Sequence, residues 1–114
     1  MSASKQRGTA WETAVVRFLQ DCGHRYAERR ALNGSRDLGD ITGIPGVVIE
    51  CKSQNRITLA EWIDETETER LNAEAELAVC WVKRKGKSSP GHGYVVMTGL
   101  QFAYLLRQIT DDGR

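Results

Sequence analysis

Asp40-Ile41-Thr42-Gly43-Ile44-Pro45-Gly46-Val47-Val48-Ile49-Glu50-Cys51-Lys52 is the stretch on which the fold turns. Gly43-Ile44-Pro45-Gly46 is a turn signal between two runs of strand-forming residues, which predicts a β-hairpin. With a three-residue loop at Ile44, Pro45 and Gly46, Gly43 faces Val47, Thr42 faces Val48, Ile41 faces Ile49 and Asp40 faces Glu50. A two-residue loop at Pro45-Gly46 also closes the turn but suits the twist of paired strands less well. Strand side chains alternate between faces, so Ile41, Val47, Ile49 and Cys51 share an apolar side, and Asp40, Glu50, Lys52 and Gln54 share the other. A slip of one residue would turn Asp40 away.

Two carboxylates directly opposite each other repel unless positive charge lies between them. A divalent cation answers that need. Mg²⁺ takes hard oxygen ligands, keeps several waters, and commonly uses one or two carboxylates together with substrate phosphate. Lys52, on the same face, is suited to stabilise charge on a phosphorane or to orient and deprotonate an attacking water. The plainer reading is a solvated strand face with a neighbouring Glu-Lys pair.

Outward from the hairpin, three helices carry the same start signal. Thr9-Ala10-Trp11-Glu12, Thr58-Leu59-Ala60-Glu61 and Thr98-Gly99-Leu100-Gln101 all fit the capping-box pattern. After the first, Trp11, Val15, Phe18, Leu19 and Cys22 recur at helical spacing and Gly23 is a stop. The second opens on Leu59, Trp62 and Ile63 and runs acidic to about residue 76. The third carries Leu100, Phe102, Ala103, Leu105, Leu106 and Ile109. Strands are predicted at 26–32, 39–43, 47–52, 77–82 and 94–97. The order is α-β-β-β-α-β-β-α. This is an α/β chain, one domain over 1–114, with disordered ends at about 1–6 and 110–114. Residues 83–93 form a basic, Gly/Ser-rich loop.

A chain of 114 residues can bury one modest core without staples. Hydrophobic residues at 40% and charged residues at 27% argue against disorder. The apolar runs are too short for a membrane span, and residues 1–7 predict no secretory signal. Cys22, Cys51 and Cys80 are odd in number and widely spaced, which predicts reduced thiols and a cytoplasmic setting. They read as core thiols. The net charge of +1 hides a segregation: residues 1–36 carry +4, 37–60 carry −1, 61–76 carry −6 and 77–114 carry +4. Converging basic ends would suit nucleic acid.

With these residues in view, the chain resembles the PD-(D/E)XK nuclease superfamily. Asp40, nine intervening residues, and then Glu50-Cys51-Lys52 match the D…ExK signature, with Val47-Val48-Ile49 leading into it. Arg7-Gly8-Thr9-Ala10-Trp11-Glu12 is similar to the glycine-x-x-x-glutamate helix start of small archaeal-type Holliday-junction resolvases, and the Gly34-Ser35 loop resembles theirs. The match covers roughly residues 5–54. Gly39 stands where the signature has proline, and Thr13 where the resolvases usually carry arginine.

The resemblance implies a restriction-endonuclease-like fold, a mixed central sheet flanked by helices, and a Mg²⁺-dependent endodeoxyribonuclease in which Mn²⁺ substitutes. It implies Asp40, Glu50 and the Cys51 backbone carbonyl as metal ligands, Glu12 reaching the metal directly or through water, and Lys52 as the catalytic lysine. Ser35 would lie near the scissile phosphate. Arg7, Arg29, Arg30 and Arg36 would contact DNA phosphates. Lys83, Arg84, Lys85 and Lys87 add a candidate clamp, and Gln54 a water or phosphate contact. Branched DNA, a C2 homodimer for paired cuts, and a phage-like or mobile-element setting complete the expectation. Other members of the superfamily cut flaps, single strands or duplex, and a non-catalytic DNA-binding module of the same fold is a further reading. Plainer readings make Glu12 a capping-box member, Trp62 and Trp81 core or dimer contacts, and Glu61 to Glu76 a solvated helix face. An interaction protein would instead offer Glu65, Glu67 and Glu69 to a basic partner.

Overall fold

The computed structural model describes residues 2–31 and 37–111. In chain order the elements are α1 (Ala3–Asp21), β1 (Glu28–Arg29), β2 (Ile41–Thr42), β3 (Val47–Lys52), α2 (Leu59–Ala73), β4 (Leu77–Val82), β5 (Tyr94–Val96) and α3 (Gly99–Thr110), with a short 3-10 turn at Pro90–His92 before β5. Ser35 and Arg36 lie outside the described residues.

β3, which opens on Val47-Val48-Ile49, and the apolar β4 pair in parallel, from Val47 opposite Leu77 to Lys52 opposite Val82. Parallel neighbours need a crossover, and α2 supplies it. β5 adds antiparallel to β4, with Trp81 opposite Val95, and completes a mixed three-stranded sheet. Alternation along the strands sends the two sets of side chains to opposite helices. Ile49, Val79 and Trp81 meet Trp11, Val15, Val16 and Leu19 of α1. Cys80 and Val82 meet Trp62 of α2. Both tryptophans singled out in the sequence, Trp62 and Trp81, are core residues. Trp11 also ties helix to sheet, its Nε1 donating to the Trp81 carbonyl at 3.0 Å.

The hairpin closes differently from the predicted register. Val47 N–H donates to Ile44 O, leaving a two-residue turn of Pro45 and Gly46 with Gly46 at φ 79°. Proline first and a positive-φ glycine second is what a type II turn requires. β2 is laddered to β1, Glu28 opposite Thr42. It reaches β3 through Asp40 N–H, which donates to Ile49 O at 2.9 Å. The strands predicted at 26–32 and 39–43 shrink to two residues each.

The first helix starts earlier than its sequence signal. Ser2 is the N-cap, accepting from Lys5 N–H, so residues 3–6 are helical and not a disordered end. Thr9 is interior, its carbonyl accepting from Thr13 Oγ1, and Thr9 with Glu12 is not a capping box. Thr58 precedes α2 without a side-chain cap. Thr98 does cap α3, accepting from Gln101 N–H. Cys22, read as a core thiol, is exposed, whereas Cys80 is buried. α3 buries only Gln101, whose Oε1 accepts the Ala78 N–H. Its Leu100, Phe102, Leu106 and Ile109 are exposed. Among the described residues no helix is long and apolar enough to cross a membrane.

Candidate functional site

β3 ends with two charged side chains, Glu50 and Lys52, on the face away from α1. Glu50 is 7% exposed, an unusual depth for a carboxylate. Lys52 Nζ stands 3.4 Å from Glu50 Oε2 and 2.8 Å from Glu65 Oε1 on α2. Trp62, one helical turn before Glu65, lies under the lysine, with its ring centroid 5.9 Å from Nζ. Asp40 reaches the same place from the loop before β2. Its Oδ2 accepts the Cys51 N–H at 2.8 Å, so the backbone of the ExK segment itself fixes the Asp40 carboxylate.

Glu69, a turn beyond Glu65 on α2, is 1% exposed. Ligand oxygens of Asp37, Glu50 and Glu69 lie within 4.8 Å of one another and could hold a metal ion. Glu50 Oε1 and both Glu69 carboxylate oxygens are buried without a hydrogen-bond donor among the described residues. Asp37 is held in place from both ends: its Oδ1 accepts the Gly39 N–H, and its carbonyl accepts Asn72 Nδ2 from α2.

Among the described residues Asp37, Asp40, Glu50, Glu65 and Glu69 thus form one linked group of carboxylates, with Lys52 paired to Glu50 and Glu65. Burial, then the neighbouring Glu65, Asp40 and Glu69, pushes Glu50 up to about 11. Burial and Asp37 push Glu69 up to about 8. Asp40 is raised by burial and by Glu12, against the Cys51 hydrogen bond that lowers it. Burial works against the charge on Lys52, but Glu65 and Glu50 outweigh it and the lysine pKa rises. Glu65, more exposed, is pulled down by Glu50 and Lys52 in spite of its desolvation. Carboxylates this perturbed take up either protons or a cation. The donors are all oxygen, which suits Mg²⁺, Mn²⁺ or Ca²⁺.

The remaining expected residues divide. Glu12 projects from α1 and its charge is felt at Asp40, yet its Oε1 accepts from Arg29 Nε at 3.0 Å. Arg29 is thus tied through Nε to Glu12, and its side chain is exposed. The Cys51 side chain packs against the α1-side core, and burial raises its thiol pKa. Gln54 lies beyond the end of β3 and is exposed. Arg7 is exposed on α1, and Arg30 is half-buried with its N–H on Asp40 O. Lys83, Arg84, Lys85 and Lys87 are exposed, and the loop is anchored beside the site because Lys83 N–H donates to Lys52 O at 2.9 Å. Arg84 stacks over Tyr94 at 5.8 Å.

Two departures from the expected pattern follow from backbone geometry. Gly39 sits at φ 97°, where the ring of a proline cannot go, so the entry to Asp40 is built unlike the proline entry of the signature. The acidic helix is not a solvated face throughout: Glu69 is buried and Glu65 grips Lys52. The signal for it was present, because Trp62, Thr66 and Glu69 fall at i, i+4 and i+7 on one helical stripe and all three are buried. Asp37 carried no such signal. Comparison with known proteins finds no matching family model, no matching curated protein and no matching solved structure.

Proposed function

We propose that this chain is a divalent-cation-dependent DNA endonuclease of PD-(D/E)XK type with a restriction-endonuclease-like fold, acting on branched DNA as a junction resolvase. The observation that carries the reading is the meeting of Asp40, Glu50 and Lys52 at the carboxyl end of the parallel β3–β4 pair, with a buried Glu50 oxygen that no donor serves. Ligands of α/β proteins commonly sit outside the carboxyl ends of parallel strands. Asp40 and Glu50 would hold the metal. A cation bound there would polarise the scissile phosphate and acidify a water.

The chain's own residues have defined tasks. Cys51 N–H orients the Asp40 carboxylate. Lys52, paired with Glu65 and Glu50, would donate to the phosphate and neutralise developing charge. Water would attack phosphorus and release a proton to solvent while the P–O3′ bond breaks and the 3′ oxygen takes a proton up, giving 5′-phosphate and 3′-hydroxyl ends. The basic loop anchored to Lys52 O grips backbone phosphates, which positions DNA without reading sequence.

Paired cuts on a four-way junction need two sites, hence a C2 homodimer. The exposed apolar residues of α3 are a suitable contact: the helix carries one positive charge, Arg107, which Asp111 neutralises at 3.0 Å, so two copies would not repel. Three free cysteines suit a reducing cytoplasm.

The test is cleavage of a labelled four-way junction beside linear duplex, flap and single-stranded DNA, with Mg²⁺, with EDTA, and with Glu50→Gln. Paired symmetric cuts on the junction alone, lost with EDTA and in the variant, are expected. Cutting of every substrate removes the resolvase assignment and keeps the nuclease. Binding without cutting, with Mn²⁺ also tried, leaves a DNA-binding module and overturns the mechanism.

A further inference from the structure

Glu50 has two sets of carboxylate neighbours, since Asp40 is not a member of the group whose ligand oxygens lie within 4.8 Å of one another. One is Asp40, whose position is fixed by Cys51 N–H. The other is formed by α2 and the segment before β2, and nothing in the proposed reaction uses it. We propose that Asp37, Glu50 and Glu69 form a second seat for a divalent cation of the Mg²⁺/Mn²⁺ class, separate from Asp40 and filled without DNA. The proposal deepens the nuclease reading, on which it rests only for the word second.

Three observations support the seat. The ligand oxygens of the three residues already lie within 4.8 Å of one another. Both oxygens of Glu69, at 1% residue exposure, and Oε1 of Glu50, at 7%, have no donor among the described residues. A buried carboxylate without donors loses its hydration and gains nothing in return. Lys52 does not relieve them, because its partners are Glu50 Oε2 and Glu65 Oε1. Asp37 is the exposed member, and it gives an arriving ion access to water.

Construction of the seat favours an ion over an accident of crowding. Its ligands come from three segments: the loop before β2, β3 and α2. The Asn72 Nδ2 to Asp37 O bond at 3.0 Å clamps the loop to α2 one turn from Glu69. With no imidazole or thiolate among the three ligands, the seat selects hard cations over zinc or copper. A cation there would join β3, α2 and the Asp37 loop. Glu50 would then serve two cations, one with each set.

The experiment titrates the full chain with Mn²⁺ alone, without DNA, following free Mn²⁺ by electron paramagnetic resonance. It compares wild type, Asp40→Asn and Asp40→Asn/Glu69→Gln. Asp40→Asn should retain one Mn²⁺ per chain, and adding Glu69→Gln should weaken that ion at least tenfold. Undiminished binding in the double variant, or no binding in Asp40→Asn, overturns the seat. Folding is checked by melting in EDTA. Glu69→Gln removes a buried charge and keeps the shape, so it should melt no lower than wild type at alkaline pH. A lower melting temperature there would show Glu69 acting as a structural ion-pair member and also counts against the seat. Failure of the nuclease reading looks different, because Mn²⁺ would bind as described while no DNA substrate is cut.

Discussion

The two faces of the central sheet are built from alternate residues of the same strands, yet they obey different physics. On the α1 face, Ile49, Val79 and Trp81 pack against Trp11, Val15 and Leu19. Burial there removes apolar area from water and every group is content. The α2 face begins the same way, with Trp62 on Cys80 and Val82. At the same level, where Glu50 pairs with Cys80 and Lys52 with Val82, the neighbouring strand carries Glu50 and Lys52, met by Glu65 and Glu69 of α2. The apolar face supplies stability, and the charged cluster gives part of it up to keep carboxylates buried with too few donors. Such an exchange is the usual mark of a functional site.

The contrast can be broken from either side. Trp11→Ala should cost about 3–5 kcal/mol, because a large buried side chain and its bond to Trp81 O are both lost. Denaturant unfolding reads this, and activity per folded molecule should stay near wild type. Lys52→Met should do the reverse: about a 10²-fold loss of cleavage, the scale of removing one charge-stabilising donor, with little loss of folded protein. A large stability loss in Lys52→Met would erase the distinction between the faces.

Smaller effects sharpen it. Gly39→Ala should destabilise by about 1–2 kcal/mol, since φ 97° disfavours a side chain and its Cβ would stand 2.9 Å from Val48 Cγ1. It should also displace Asp40 and lower cleavage. Replacing Lys83, Lys85 and Lys87 with alanine should leave melting unchanged. It should flatten the salt dependence of DNA binding by about 0.9 per lysine on the log-log slope. An unchanged slope would remove the loop from the interface. Arg107→Ala should change stability by less than about 0.5 kcal/mol, because its ion pair with Asp111 is exposed.

How much of this was legible depends on the range of the signal. β3 opens on a β-branched run and β4 is apolar throughout, so both strands read directly from the sequence, as does the nearness of Asp40 to Glu50 and Lys52. The ladder was harder. Pro45-Gly46 favoured the two-residue type II turn, and β2 paired with β1 across residues 30–40, which no local pattern announces. Thr9-x-x-Glu12 imitated a helix start inside a helix whose cap is Ser2. On α2 the acidic composition masks the buried Trp62-Thr66-Glu69 stripe and makes the whole helix face read as solvated. Asp37 joins the cluster only through tertiary contacts, including its bond from Asn72.

If the buried carboxylates around Glu50 need a cation, melting with and without Mg²⁺ at two pH values must show it. The groups involved are Asp37, Asp40, Glu50, Glu65 and Glu69, with Lys52 and Glu12 facing them. Glu50 and Glu69 have folded pKa values raised to about 11 and about 8, and Asp40 is raised as well. Between the ordinary carboxylate range and those values the folded state holds more protons than the unfolded one. Stability of the cation-free chain therefore falls as pH rises from about 4.5 through about 8. Protons fill the site in acid and Mg²⁺ replaces them in alkali. Mg²⁺ should therefore raise the melting temperature strongly at pH 8 and scarcely at pH 5. An equal rise at both pH values, or no rise at pH 8, would contradict it.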